Sequence, residues 1–390
     1  MKTALKQALQ AELNNILYYW SSYTVDEQSG GFYGRLQNDN SVDPYALKGA
    51  VLNARILWTF AAAYRRIPKE EYIVLANRAY SYISEHFIDR EFGGVYWSLN
   101  YTGQPVDTKK QVYAIAFTIY AFSEYYLACK DEKAKEQAIL LYNILEQHAV
   151  DKNYGGYFEA FTREWKEMTD QRLSLKDANE RKSMNTHLHV LEAYTTLYKA
   201  WPDAQLKSRI VDILNIFDQY IFNHSSKHLQ LFFNDEWQVK GHIESYGHDI
   251  EAAWLMQEAA EAIQDETLIL HFKQLAIEIA DITFPAFDKD GGLWYEREGD
   301  HLVKEKHWWP QAEAIVGYVN AYQLSGEEKY LQQAVFTWQF VEERIVDNEN
   351  GEWFWGIDEN NQVMQEDKVG LWKCPYHNGR ACLEIMDRLK

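Results

Sequence analysis

Cysteine is scarce in this 390-residue chain, which holds only Cys129, Cys374 and Cys382. Their spacing offers neither a metal-ligand set nor a framework of paired bridges, which suits a reducing compartment, the cytoplasm. Basic charge is short as well: 39 Lys and Arg stand against 58 Asp and Glu, a formal net charge of -19. A nucleic-acid or anionic-membrane partner needs a basic face, so both are excluded, and nothing steers phosphorylated or carboxylated substrates inward. No apolar run approaches membrane-spanning length. The opening MKTALKQALQAELNNILYYW reads as an amphipathic helix, too polar for a signal-peptide core. Pro and Gly nowhere gather into a linker, so a single domain over residues 1–390 is expected. Aromatics are abundant instead, at 15% of the chain with 14 Trp and 27 Tyr, and their flat faces can fill a core or stack on sugar rings.

Six segments repeat. They are Gly30-Gly31-Phe32-Tyr33, Gly93-Gly94-Val95-Tyr96-Trp97, Gly155-Gly156-Tyr157-Phe158, Leu231-Phe232-Phe233, Gly291-Gly292-Leu293-Trp294-Tyr295 and Gly351-Glu352-Trp353-Phe354-Trp355. Taking Gly31, Gly94, Gly156, Leu231, Gly292 and Glu352 as equivalent gives steps of 63, 62, 75, 61 and 60 residues. Most have an Asp just upstream (Asp26, Asp89, Asp151, Asp288, Asp347), so each reads as a turn leading into a short strand or hairpin. A period near sixty is the mark of repeat architecture.

Between the markers the apolar spacing is helical, as in Val51, Ile56, Leu57, Phe60 and Tyr64. Helices are expected near 3–20, 44–65, 69–87, 108–130, 132–149, 181–200, 203–222, 245–264, 266–283, 307–324, 326–345 and 370–388, two per repeat. Pro68 and Pro202 break paired helices. Six helical hairpins without a linker imply an all-α fold, one closed (α/α)6 barrel, with the second helix of each pair on the inner wall and the GG-aromatic loops at one rim. The polar segment 165–182 is long for a connection and is expected to lie over the mouth.

The residues just past each rim marker, at the start of the next inner helix, are Arg55, Tyr113, Asn185 with His189, His248 with Glu251, His307-Trp308-Trp309, and Trp372 with His377. In a ring these positions converge on one axial pocket. His189-x-x-Glu192 and His248-x-x-Glu251 each put His and Glu on one helix face; this reads more simply as a carboxylate orienting an imidazole than as chelation, and no metal is expected. His187, two residues from His189, points to another face. Glycoside hydrolysis needs two flanking carboxylates, for which Asp177, Glu251 and Glu313 are candidates, but imidazoles and aromatics dominate the wall. Two imidazoles, a guanidinium and stacking rings instead fit proton exchange alpha to a carbonyl. An opened aldose loses its C2 proton to one imidazole, the arginine stabilises the enediolate, and a second imidazole delivers a proton to the other face. Return of the proton to C1 by one base gives an aldose–ketose isomer. Both outcomes stay open on the residues alone.

Four ordered motifs carry a resemblance. Asn185-Thr-His-Leu-His189, Tyr246-Gly-His-Asp-Ile-Glu251, His307-Trp-Trp-Pro-Gln-Ala-Glu313 and Trp372-Lys-Cys-Pro-Tyr-His-Asn-Gly-Arg380 resemble the N-acylglucosamine 2-epimerase superfamily along essentially the whole chain. The last motif points to its disaccharide-acting branch. The resemblance implies an (α/α)6 barrel and reversible C2 epimerisation of the reducing-end glucose of β-1,4 disaccharides: cellobiose to glucosyl-mannose, lactose to epilactose, with no cofactor. It casts His248 and His377 as the acid/base pair, Arg55 as the enediolate's partner, His189 as the ring-opening group and Glu251 as the residue orienting His248. Tyr113, Asp177 and Asn185 would bond the sugar, while Trp308, Trp309 and Trp372 would stack on it; Tyr113 and Trp308 equally suit core packing, and Asp177 a solvated turn. The expected partner is a small neutral reducing disaccharide, and the expected state a monomer or weak homodimer. The rivals are a mannose-type monosaccharide isomerase or epimerase of the same superfamily, an α/α-barrel glycoside hydrolase, and a carbohydrate-binding protein without turnover.

Overall fold

The computed structural model describes residues 1–389. Twelve helices follow in order: α1 (Lys2–Tyr23), α2 (Ala50–Arg66), α3 (Glu70–Tyr82), α4 (Val112–Cys129), α5 (Glu132–His148), α6 (Met184–Ala200), α7 (Ala204–Ile216), α8 (Tyr246–Ala262), α9 (Glu266–Thr283), α10 (Trp308–Ser325), α11 (Glu328–Arg344) and α12 (Tyr376–Arg388). The even-numbered helices pack side by side and α12 returns to α2, closing an inner ring; the odd-numbered ones back it from outside. This is the (α/α)6 barrel. Counted from the N-terminus, the second helix of each pair is the inner one, as expected. The compact hairpins run the other way: α2 packs on α3, α4 on α5, α8 on α9 and α10 on α11, inner helix first, and α1 packs against α12.

The inner helices are buried all round over most of their length: every residue of α2 from Ala50 to Ala63, and of α4 from Val112 to Tyr125. That burial corrects one expectation. α4 has 18 residues at mean hydropathy 1.2, long and apolar enough to cross a membrane, because a wall helix needs no polar stripe; 78% of it lies inside the barrel.

Each rim marker folds as a tight hairpin closed by a single bridge: Val25 to Phe32, Ile88 to Val95, Val150 to Tyr157, Phe222 to Leu229, Phe287 to Leu293 and Val346 to Trp353. The bridges correct the fourth repeat. Leu229, not a residue after Leu231, occupies the bridging position, so His228 stands where the second glycine does elsewhere. Lys227 takes the first glycine's place, with φ 66°, and Gly155 has φ 74° at the same point. At Gly156 a side chain is also sterically barred, since a Cβ would lie 2.5 Å from Trp237 and 2.6 Å from His187.

Several expected helix starts fall early because the residues before each inner helix form a short strand instead. Lys48 pairs with Leu99, Lys110 with Phe161, Lys182 with Phe233, Glu244 with Arg297 and Lys306 with Ile357, each with the next repeat; Val369 bridges to Leu36 and completes the circle. The lysines in these strands reach the turn Asp of their own repeat. Lys48–Asp26 (2.7 Å), Lys110–Asp89 (2.7 Å), Lys182–Asp151 (2.8 Å) and Lys306–Asp288 (2.8 Å) are joined by Lys368–Asp347 (2.5 Å) in the sixth. The fourth repeat has Asn223 and Glu244 at these places, and pins its inner helix through His228 Nδ1 to Asp249 Oδ2 at 2.7 Å.

Candidate active site

Side chains enter the barrel axis from two levels of the inner helices, one turn apart, as i and i+4 positions must. The second residue of its helix supplies Tyr113, Asn185, Trp309 and His377; the sixth supplies Arg55, Phe117, His189, Glu251 and Glu313. All of these except Phe117 and Glu313, which lie behind the wall, line with Trp308, Trp372, His248 and Asp177 a cleft of about 580 Å³, which contains all eleven site residues expected from the sequence. The segment 165–182 reaches the mouth as expected, with Leu173 to Asp177 forming one lip.

His377 is 5% exposed and its Nδ1 meets Glu313 Oε1 at 2.6 Å. A carboxylate only accepts, so Nδ1 carries the proton and Nε2 presents a lone pair. His248 lies at the start of α8, its ring 4.6 Å from Trp309, with Nδ1 2.8 Å from Ser245 Oγ. Glu251 does not orient it, contrary to expectation: Glu251 Oε1 accepts from Arg380 at 2.6 Å and lies 3.9 Å from His377. The helix puts Glu251 a turn deeper, where the guanidinium is the stronger partner. His189 Nδ1 bonds Glu192 Oε2 at 2.9 Å, the orienting pair that the i,i+3 spacing suggested. Burial, and for His248 the neighbouring His189, pushes the imidazoles towards the neutral form: His248 falls to about 3, while His189 and His377 move in the same direction.

Arg55 is 3% exposed and has no carboxylate within salt-bridge distance among the described residues. Nη2 donates to Tyr113 Oη at 2.8 Å, Phe117 lies 4.2 Å and Tyr376 4.8 Å from the guanidinium, and Nε has no partner. Burial works against its charge, but the oxygens of Tyr113 and Tyr376 and the Cys374 sulfur raise its pKa above the ordinary value. Two more buried groups at the cleft are orphaned, Asn185 Oδ1 and Trp308 Nε1. Trp308 is mostly wall, 3% exposed and packed on Trp355; Trp372 stands 5.7 Å from Trp97 and 6.0 Å from Tyr113. Asp177 accepts from Ser174 N at 2.8 Å, and burial raises its pKa.

Beneath the histidines lies a network whose hub the sequence did not disclose. Arg380 donates to Glu251 and Glu313, each at 2.6 Å, and to Glu192 and Tyr376. Burial, then repulsion from Glu313, raises Glu251 well above the carboxylate range; Glu192 is taken down to about 2 by Arg380 and His189 despite burial. Glu251, Glu313 and His377 bring ligand atoms within 4.8 Å of one another, a geometry that suits a cation, and Arg380 already supplies one there. The same bonds engage Glu251 and Glu313, two of the three carboxylates considered for a hydrolase. In the sequence Arg380 is only the last residue of the fourth motif, and nothing there shows which partners meet it across the barrel. The rim aromatics Trp97, Tyr295 and Trp355 also line the cleft; their signal was the repeat itself, at the second position past each bridging residue. His187 faces away and is structural, taking Tyr157 N–H on Nε2 at 2.9 Å.

The N-acylglucosamine 2-epimerase (GlcNAc 2-epimerase) family matches residues 31–381. The chain belongs to that family. It is 48% identical over 390 residues to the cellobiose 2-epimerase of Bacteroides fragilis, covering 99% of this chain and 100% of that one. The cellobiose 2-epimerase of Dictyoglomus turgidum is 39% identical, with 99% of each chain covered. The solved structure of cellobiose 2-epimerase from Bacillus thermoamylovorans superposes with a TM-score of 0.95 at 39% identity, covering 100% of both chains.

Proposed function

We infer that the protein is a carbohydrate 2-epimerase that inverts C2 of the reducing-end glucose in β-1,4-linked disaccharides, turning cellobiose into glucosyl-mannose and lactose into epilactose. The observation that carries this reading is Arg55: a buried guanidinium with no carboxylate partner, in the same cleft as two neutral imidazoles. A charge held without a counter-ion is costly unless an anion forms beside it during the reaction. The enediolate is that anion. Its precursor is neutral, so Arg55 acts on the transition state more than on the bound sugar.

The steps follow from the residues. His189 assists opening of the pyranose. One of His248 and His377 takes the C2 proton through Nε2, the C2–H electron pair moves into the C1–C2 double bond, and the carbonyl oxygen becomes the enediolate oxygen facing Arg55. The other histidine, protonated, returns a proton to the opposite face of C2, and the ring closes on the inverted sugar. The glycosidic bond takes no part. Trp309 and Trp372 stack on the rings, and Tyr113, Asn185 and Asp177 bond hydroxyls. Delivery of the proton to C1 by the first base gives the ketose as a side product. The proposed partner is a neutral reducing disaccharide, and the proposed compartment is the cytoplasm, in keeping with three unpaired cysteines.

The test is incubation of EDTA-treated protein with cellobiose in deuterated water, followed by NMR. A growing glucosyl-mannose signal with deuterium at C2 supports the reading. Release of free glucose indicates a hydrolase and overturns it. Unchanged cellobiose together with turnover of free mannose indicates the monosaccharide branch.

A further inference from the structure

The two imidazoles of the cleft are held differently. Glu313 behind His377 can only accept, and its own oxygens are fixed by Arg380 and by Trp254 Nε1 at 3.1 Å. Behind His248 stands a hydroxyl, Ser245 Oγ, 2.8 Å from Nδ1. Ser245 is 2% exposed, and its side chain makes no capping bond to α8, whereas the corresponding Ser183 before α6 accepts from Thr186 N. Its hydroxyl is therefore committed to the imidazole and not to the helix end. Ser245 and His248 also border a second, smaller chamber of about 100 Å³, room for about three waters. Two orphaned acceptors, Gln171 Oε1 and Asn185 Oδ1, belong to residues that line it.

We propose that Ser245 is a positioning residue for His248, holding its ring with Nε2 towards the sugar in both protonation states. The hydroxyl accepts from Nδ1–H in both states, so that the neutral ring keeps its lone pair on Nε2 and the imidazolium its proton there, while the hydroxyl's own proton turns to the chamber and its unpartnered acceptors. A carboxylate would favour the charged form alone. The other groups facing His248 are His189 from α6, and Glu313 and Trp309 from α10. The proposal rests on the epimerase reading, since it assigns work to a base of that reaction.

The test compares Ser245→Ala, Ser245→Thr and Ser245→Asp with the unaltered protein, using cellobiose and pH profiles of kcat and kcat/KM. Ser245→Ala is expected to lower kcat about 10-fold, in the range of losses from removing an imidazole's outer partner, with KM unchanged. Ser245→Thr, which keeps the hydroxyl, restores most of that loss. Ser245→Asp moves the acid limb of kcat/KM to higher pH, because a carboxylate stabilises the imidazolium. A purely packing role would leave the pH profile in place for every variant that folds, and that result overturns the proposal. So would Ser245→Ala with unaltered kcat. Failure of the unaltered protein to form the epimer would instead remove the functional reading.

Discussion

Buried charge is used in opposite ways at the rim and on the axis of this barrel. At the rim, five repeats each set a strand lysine against the turn aspartate of the same repeat, joined by Asp290 at Lys306 and by Arg163 at Asp89, so every buried charge there has an opposite partner. On the axis nothing cancels. Three carboxylates share Arg380, burial and repulsion from Glu313 raise Glu251 well above the carboxylate range, and Arg55, which meets the same Tyr376 ring as Arg380, has no carboxylate partner among the described residues. The rim is complete as folded; the axis is complete only with a reacting sugar in place. Structural charge should therefore be separable from catalytic charge by mutation.

The largest separation is expected at the axis. His377→Ala or His248→Ala should lower epimerisation by about 10²- to 10⁴-fold. Arg55→Met should lose on the order of 10²- to 10³-fold in kcat. Thermal unfolding of Arg55→Met should stay level or rise, because an unpaired buried charge is gone. A marked fall in its melting temperature would show that Arg55 is structural after all. Next comes the rim: Lys182→Met leaves Asp151 buried with its backbone donors but without its cation, and should cost about 3–5 kcal/mol in denaturant titration while the folded fraction turns over normally. Loss of turnover in folded Lys182→Met would erase the contrast. Glu313→Gln should reduce kcat by about 10- to 100-fold with little loss of stability, since it relieves the acidic surplus while removing the base's orienting carboxylate.

The smallest effect is in pH. His187 lies near 4 when folded, lowered by burial, against about 6.5 unfolded. The unfolded chain thus binds more protons between those values, and stability must fall as pH drops from about 6.5 towards 4. His187→Gln should soften that fall by about 1–2 kcal/mol at pH 5. Gln311 already accepts Leu293 N–H at 2.7 Å at the matching place in the fifth repeat, so the bond can survive the exchange. His228 works in the other sense. Burial lowers its pKa, but Asp249 outweighs that and raises it, so its contribution is full below about 6.5 and lost as pH rises through the folded value.

The fold was legible because five of the six turns carry an aspartate and at least one glycine at nearly the same spacing. The fourth was misaligned for a physical reason: Lys227 and His228 took over the glycine positions, and with them went the pattern that marks the turn. The cleft was legible because equivalent positions on ring helices must converge. Pairing across the ring was not. Glu251 sits on the face that a partner of His248 requires, and only the arrangement of α8, α10 and α12 shows that Arg380 claims it.

Because α1 packs against α12, and Leu36 bridges Val369, the first helix stands where the outer partner of the last one belongs. The molecule is thus a bracelet whose clasp resembles its other links. A circular permutant, with the present ends joined by a short linker and new ends opened at the α10–α11 turn around Gly326, should fold to the same barrel and keep its cleft.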